Sequence, residues 1–256
     1  TAAQLDAWVV AVIYPLVRIL GMMSTAPLFN NRAFPVRTRV AFGVAVSMAV
    51  IPALPPIPHV PTNTGVAHLI LVQQLLIGLA IGFVIRVSFS AIDLAGEIIG
   101  MQMGLSFATI YDPINASQTS VLSEFISVIS SLVFLSMNGH LLLIDTMVKS
   151  FTLLPVTDTF LAGKGWIGLA QFGTVIFVAG LLMALPVIAA LLITNIGLGV
   201  LTRAAPQLNL FSIGFPITMS IGMIMLMLTM PRLDTLLQGF YDQSFAVLGQ
   251  WLRQAS

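Results

Sequence analysis

The chain has 256 residues, 58% of them hydrophobic and 7% charged, with a formal net charge of +1 and a mean hydropathy of +1.03. Soluble domains carry roughly a quarter charged residues, so too few are present here to cover a water-facing surface. One integral membrane domain over residues 1–256 is the expectation, since no polar stretch is long enough for a second, soluble one, and the small net charge carries no signature of a nucleic acid partner.

Cysteine is absent, which excludes disulfides, thiolate metal sites and cysteine catalysis together. Residues 1–6 lack the basic side chains of a secretory signal, and the apolar run 7–29 is longer than a signal core. That run reads as a retained first span that also targets the chain. It contains Pro15, Arg18 and Pro27. Arg18 is expected to meet an acid on another helix or to snorkel outward.

A basic loop with Arg32, Arg37 and Arg39 follows and suits a surface anchor. The next apolar stretch, residues 40–54, would rise only about 23 Å as a helix, short of a hydrocarbon layer of about 30 Å. Pro52, Pro55, Pro56, Pro58 and Pro61 then interrupt any helix. A third span is expected over residues 66–85. Its Gly78 and Gly82 have the small-xxx-small spacing that lets two helix backbones approach closely, which in the plainest reading is ordinary helix packing.

From Arg86 to Ser123 the chain turns amphipathic. Asp93, Glu97, Gly100 and Gly104 share one helix face, with Met101 beside them. Ionised groups at mid-bilayer are costly, so two readings stand: a pore-lining or inter-subunit face, or an interfacial segment whose acids are solvated. The segment 104–120 follows, with bulky apolar residues interleaved among polar ones. It is either a re-entrant constriction or a surface loop.

A fourth span is expected over residues 124–144, then a mixed connector over 145–165, and then the tract 165–202 without one charged side chain. Trp166 suits an interfacial anchor. Pro186, Asn195, Gly197 and Gly199 suggest either two helices, the first ending near Leu185, or one kinked helix. The last span is expected over residues 211–230, ahead of a polar, partly amphipathic tail. Basic residues counted by alternating loops give no clear orientation, with Arg32, Arg37, Arg39, Arg86 and Arg203 set against Lys149, Lys164, Arg232 and Arg253. So little bias in so apolar a chain points to a surface covered mainly by protein neighbours.

Thirteen methionines, Met219 to Met230 prominent among them, form either a compliant seal or plain core. His59, His68 and His140 lack metal-ligand spacing, and no nucleotide or nucleophile motif occurs, so neither catalysis nor a cofactor is expected.

Three stretches read together as one family: residues 37–52 (RTRVAFGVAVSMAVIP), 139–155 (GHLLLIDTMVKSFTLLP) and 205–216 (APQLNLFSIGFP). The chain resembles the FliR family of flagellar type III export gate subunits and is similar to its SctT counterparts in virulence secretion. The resemblance implies an all-α fold of polytopic membrane helices, some broken or kinked, with a re-entrant plug loop, in the bacterial inner membrane at the flagellar basal body. It implies assembly with FliP and FliQ, with FlhB joining, among membrane lipids, around a conduit for unfolded flagellar proteins. It also implies that residues 104–120 are the plug. Phe107, Ile110, Tyr111 and Ile114 would then obstruct ions by dewetting, Asp112 and Pro113 would turn the tip beside polar Asn115 and Ser117, and Gly100 and Gly104 would act as a hinge. The rival readings are a proton-coupled transporter built on Asp93, Glu97 and a break at Pro186, and a passive scaffold.

Overall fold

The computed structural model describes residues 2–30, 35–55, 64–105, 120–157, 163–205 and 210–255. Among them the ordered elements are helices: α1 (Ala2–Thr25), α2 (Val36–Val50, extended by a 3-10 turn, Ile51–Ala53), α3 (Gly65–Gln102), α4 (Val121–Ser136), α5 (Gly139–Leu153), α6 (Gly163–Phe172), α7 (Val175–Ala204) and α8 (Leu210–Gln254). Among the described residues, four stretches are long and apolar enough to cross a bilayer, namely α2 with its turn, α3, the α6–α7 tract and α8, and the bent pair α4–α5 adds a fifth if counted as one span. The protein is a polytopic all-α membrane protein. In α3, 67% of the most apolar window is buried, against 22% in α6–α7 and 17% in α8, so α3 is the internal helix and the others turn apolar side chains outward.

Packing gathers the chain into two compact units. The first holds Thr1–Val87, Leu135–Gly173 and Tyr241–Ser256, and the second holds Ser88–Phe134 and Thr174–Phe240.

In the first unit, α1 and α3 meet backbone to backbone. A Cβ on Gly78 would collide with the Arg18 carbonyl oxygen and lie 3.0 Å from the Met22 nitrogen, and one on Gly82 would lie 2.5 Å from the Met22 carbonyl oxygen. The fit is mutual, because a Cβ on Gly21 of α1 would come within 2.9 Å of the Leu75 carbonyl oxygen. At this spacing the Thr25 hydroxyl reaches across to donate to the Leu79 carbonyl at 3.2 Å.

Arg18 is fully buried in this unit, and its partners are neutral. Nε and Nη2 both donate to Gln74 Oε1 of α3, Nη1 donates to Ser150 Oγ at 3.0 Å, and Nη2 donates to the Leu154 carbonyl at 2.9 Å. The guanidinium carbon stands 3.9 Å over the centre of the Phe151 ring. Neither an acid partner nor outward snorkelling, the two sequence expectations, is realised. The charge is instead held at the C-terminal end of α5, where the last carbonyls carry the negative end of the helix dipole.

Other helix bounds also differ from expectation. α3 does not stop near Ile85 but runs on to Gln102, with Arg86 exposed and Val87, Ser88, Ala91, Ile92, Ala95 and Ile99 continuing the buried stripe. The expected span 124–144 is two helices, broken at Asn138, whose φ of 58° places it in the left-handed region that Asn tolerates. Much of the expected connector 145–165 is helical, because Leu143, Met147, Ser150 and Phe151 bury at helical spacing. At Pro186 the single-helix alternative is realised, since α7 passes through it unbroken, and α8 passes through both Pro216 and Pro231. The supposed tail after Pro231 buries Leu237, Phe240, Tyr241, Ser244, Leu248, Trp251 and Leu252, a periodicity near 3.6 that composition alone conceals. Trp166 packs edge to face on Trp251 at 5.7 Å.

Two measurements check this packing. Gly78→Ala should destabilise the detergent-solubilised protein by about 2 kcal/mol through overpacking. Gly239→Ala, where a Cβ meets nothing within 4 Å, should stabilise it by about 0.5 to 1 kcal/mol. In the same thermal unfolding assay, Arg18→Lys should cost about 2 kcal/mol, nearly as much as Arg18→Met, because an ammonium keeps the charge but loses the planar fork.

Candidate functional site

The second unit contains the acidic face of α3. Its small residues bring α4 close: a Cβ on Gly96 would lie 2.5 Å from the Ser123 Cα, and one on Gly100 would lie 3.0 Å from Ser120 Oγ. The Ser123 hydroxyl donates to the Asp93 carbonyl at 2.8 Å. Glu97 Oε1 accepts the Ser120 backbone N–H at 2.7 Å. Asp93 and Glu97 are both half-buried, and Met101 is exposed.

α3 ends on a glycine for a geometric reason. Gly104 has a φ of 86°, the Leu105 N–H donates to the Gly100 carbonyl at 3.0 Å, and the Gly104 N–H donates to the Met101 carbonyl at 3.0 Å. This is the Schellman arrangement, with glycine at the one position that needs a left-handed backbone. Just before it, Met103 is buried against Gly222 of α8, and the Thr218 hydroxyl donates to the Met103 carbonyl at 3.3 Å.

At the far side of the segment, α4 begins with Ser120 as its cap, its Oγ accepting the Ser123 N–H at 3.1 Å. The chain therefore leaves α3 at Gly104 and returns at Ser120 against Gly100, one turn away. The structure brings together Asp93, Glu97, Gly100 and Gly104. Phe107, Ile110, Tyr111, Asp112, Pro113, Ile114, Asn115 and Ser117 lie outside the described residues.

Several contacts escaped the sequence reading. Ser120, Ser123 and Thr218 pass as ordinary polar residues. Gly222, like Gly180 of α7, whose added Cβ would lie 2.8 Å from the Ala91 carbonyl oxygen, lies in no paired glycine motif. Gly96 stands four residues before Gly100, so these two do form a Gly-xxx-Gly pair. No group of His, Asp or Glu among the described residues could hold a metal ion.

An internal helix lined with small residues, packed by outward-apolar helices and ending at a glycine cap, defines a helical membrane component built for close helix packing. The profile of the family described as Bacterial export proteins, family 1, matches residues 9–244. Flagellar biosynthetic protein FliR of Pectobacterium carotovorum subsp. carotovorum is 39% identical over 97% of this chain and 95% of its own length. FliR of Escherichia coli (strain K12) is also 39% identical, with the same coverage, and that of Bacillus subtilis (strain 168) is 30% identical over 84% of this chain and 83% of its own. The chain belongs to this family, the FliR family of bacterial flagellar export proteins.

Gly104→Val should cost about 1 to 2 kcal/mol in thermal unfolding, because the cap needs a positive φ, and Gly104→Asn should recover part of that loss.

Proposed function

We propose that the chain is a non-enzymatic subunit of the flagellar type III protein export gate in the bacterial inner membrane. In this reading it assembles with FliP and FliQ, FlhB joins, and residues 104–120 plug the channel through which unfolded flagellar proteins pass. Family membership supports the export role. The plug role is supported by one geometric observation: the segment leaves α3 at a glycine cap and returns one turn away, its re-entry held by Glu97.

A closed gate has to stop ions while a polypeptide can later displace the obstruction. Phe107, Ile110, Tyr111 and Ile114 supply the apolar surface that excludes water from a constriction, and with it hydrated ions. No covalent chemistry is needed, and none is assigned. The transporter reading loses ground, because it needs half-helices meeting near Pro186 and α7 is continuous there.

Deleting residues 106–117 should leave the assembled complex intact but make the membrane leak small ions, read as dye or potassium flux in vesicles. A tight membrane overturns the plug assignment. The purified chain alone in liposomes should take up no solute, and saturable uptake of a small solute would favour the transporter.

A further inference from the structure

We propose that Glu97 is a positioning residue that clamps the returning end of the 104–120 segment to the glycine face of α3. The proposal rests on the plug reading above.

The helix that follows the segment has an unusual need. A helix commonly starts with a capping box, in which the third residue after the Ser or Thr cap, a Glu or Gln, reaches back to the cap's own N–H. Here the cap is Ser120 and the third residue is Ser123, whose hydroxyl is committed to the Asp93 carbonyl across the helix interface. The Ser120 N–H is therefore left to a group from elsewhere, and Glu97 takes it at 2.7 Å. A carboxylate in this position also faces the positive end of the α4 dipole. A half-buried Glu that served only as a solvated surface acid would have no reason to fold across onto a neighbouring helix end.

The surrounding residues are shaped for the same closure. Gly96 and Gly100 remove the side chains that would otherwise hold Ser123 and Ser120 away from α3. Shape sets the distance, and the carboxylate holds it. Replacing the acceptor removes a charge-assisted hydrogen bond, which should raise the population with the base parted by about ten- to a hundredfold.

The test uses the assembled complex in vesicles and compares ion leak in four backgrounds: wild type, the 106–117 deletion, Glu97→Ala and Glu97→Gln. Glu97→Ala should leak in proportion to the parted population. Glu97→Gln, whose amide oxygen still accepts the Ser120 N–H, should be restored most of the way to wild type. The chain has no cysteine, so a Gly100→Cys/Ser120→Cys pair can be oxidised selectively within it. A Cβ built on Gly100 lies 3.2 Å from the Ser120 Cβ, near the roughly 3.5 to 4.5 Å of a disulfide. In the Glu97→Ala background this staple should abolish the leak when oxidised and return it when reduced.

A leaky deletion beside a tight Glu97→Ala overturns the clamp and leaves the plug reading standing. A tight deletion overturns the plug reading, and the clamp's role with it. A Glu97→Ala leak that the oxidised staple does not close also overturns the clamp. Should Glu97→Ala fail to accumulate, the staple in that background decides: accumulation only when oxidised supports the clamp, and none in either state overturns it.

Discussion

The first unit is organised around one guanidinium. Arg18 is among its largest fully buried side chains, and the four hydrogen bonds it donates reach α3 at Gln74 and the end of α5 at Ser150 and Leu154. Taking such a charge out of water costs several kcal/mol, and a buried ion pair is the usual offset. Here the offset comes from dipoles: a side-chain amide, a hydroxyl, the carbonyl end of a helix and the negative face of an aromatic ring. The arrangement works only if α1, α3 and α5 are all in register, because Gln74 and Ser150 lie on α3 and α5 and Leu154 is the residue that caps α5. A carboxylate would tolerate many approach directions. This set of acceptors tolerates few, so the charge specifies a geometry more than it adds net stability.

Outside that centre, helix association in both units follows one rule. Between helices in lipid there is no hydrophobic driving force, so contact area, backbone proximity and interhelical hydrogen bonds have to hold them together. Glycine supplies the proximity at 78 and 82 in the first unit and at 96, 100, 180 and 222 in the second. Proximity brings carbonyls within reach of hydroxyls on the facing helix, as at Thr25 to Leu79, Ser123 to Asp93 and Thr218 to Met103. Bonds of this kind average about 0.6 kcal/mol each, so no single one decides the fold. What decides it is their coincidence with sites where a methyl group would collide with the facing helix, with its backbone at Gly78, Gly82, Gly96 and Gly180 and with the Met103 side chain at Gly222.

The sequence displayed the features that depend on composition and local period. The uncharged tract 165–202, the Gly78 and Gly82 pair and the shared face of Asp93, Glu97, Gly100 and Gly104 were all readable from spacing. At Pro186 the structure takes the single-helix alternative, and α8 likewise runs through Pro231, although each proline frees the carbonyl four residues before it. Inside a membrane protein, neighbouring helices, hydroxyl side chains and ordered waters take up such groups. Polar composition misled in the region after Pro231, where a buried stripe lies beneath Asp234, Gln238, Asp242 and Gln243. The partners of Arg18 were beyond reach because Gln74 and Ser150 are 56 and 132 residues away and neither is ionisable. The role of Glu97 was hidden for the same reason: its partner is a backbone N–H, which every residue except proline possesses.

The continuity of α3 also explains why loop counting failed to orient the chain. Arg86, Lys149 and Arg232 were assigned to loops, but they lie on α3, α5 and α8. Along α3, the uncharged stretch from Gly65 to Ile85 rises about 32 Å, a full hydrocarbon thickness, before Arg86 appears. Asp93 and Glu97 follow on the same helix, past that uncharged length, and both are half-buried against α4 and not fully enclosed. Acids so placed require neither a buried cation nor a water-filled pore merely to exist. Their cost falls to that of partial burial against α4, which a single N–H and a helix dipole are sufficient to offset. The charged part of α3 is thereby free to act as a clamp, and the apolar part remains the piece that lipid and neighbouring helices hold in place.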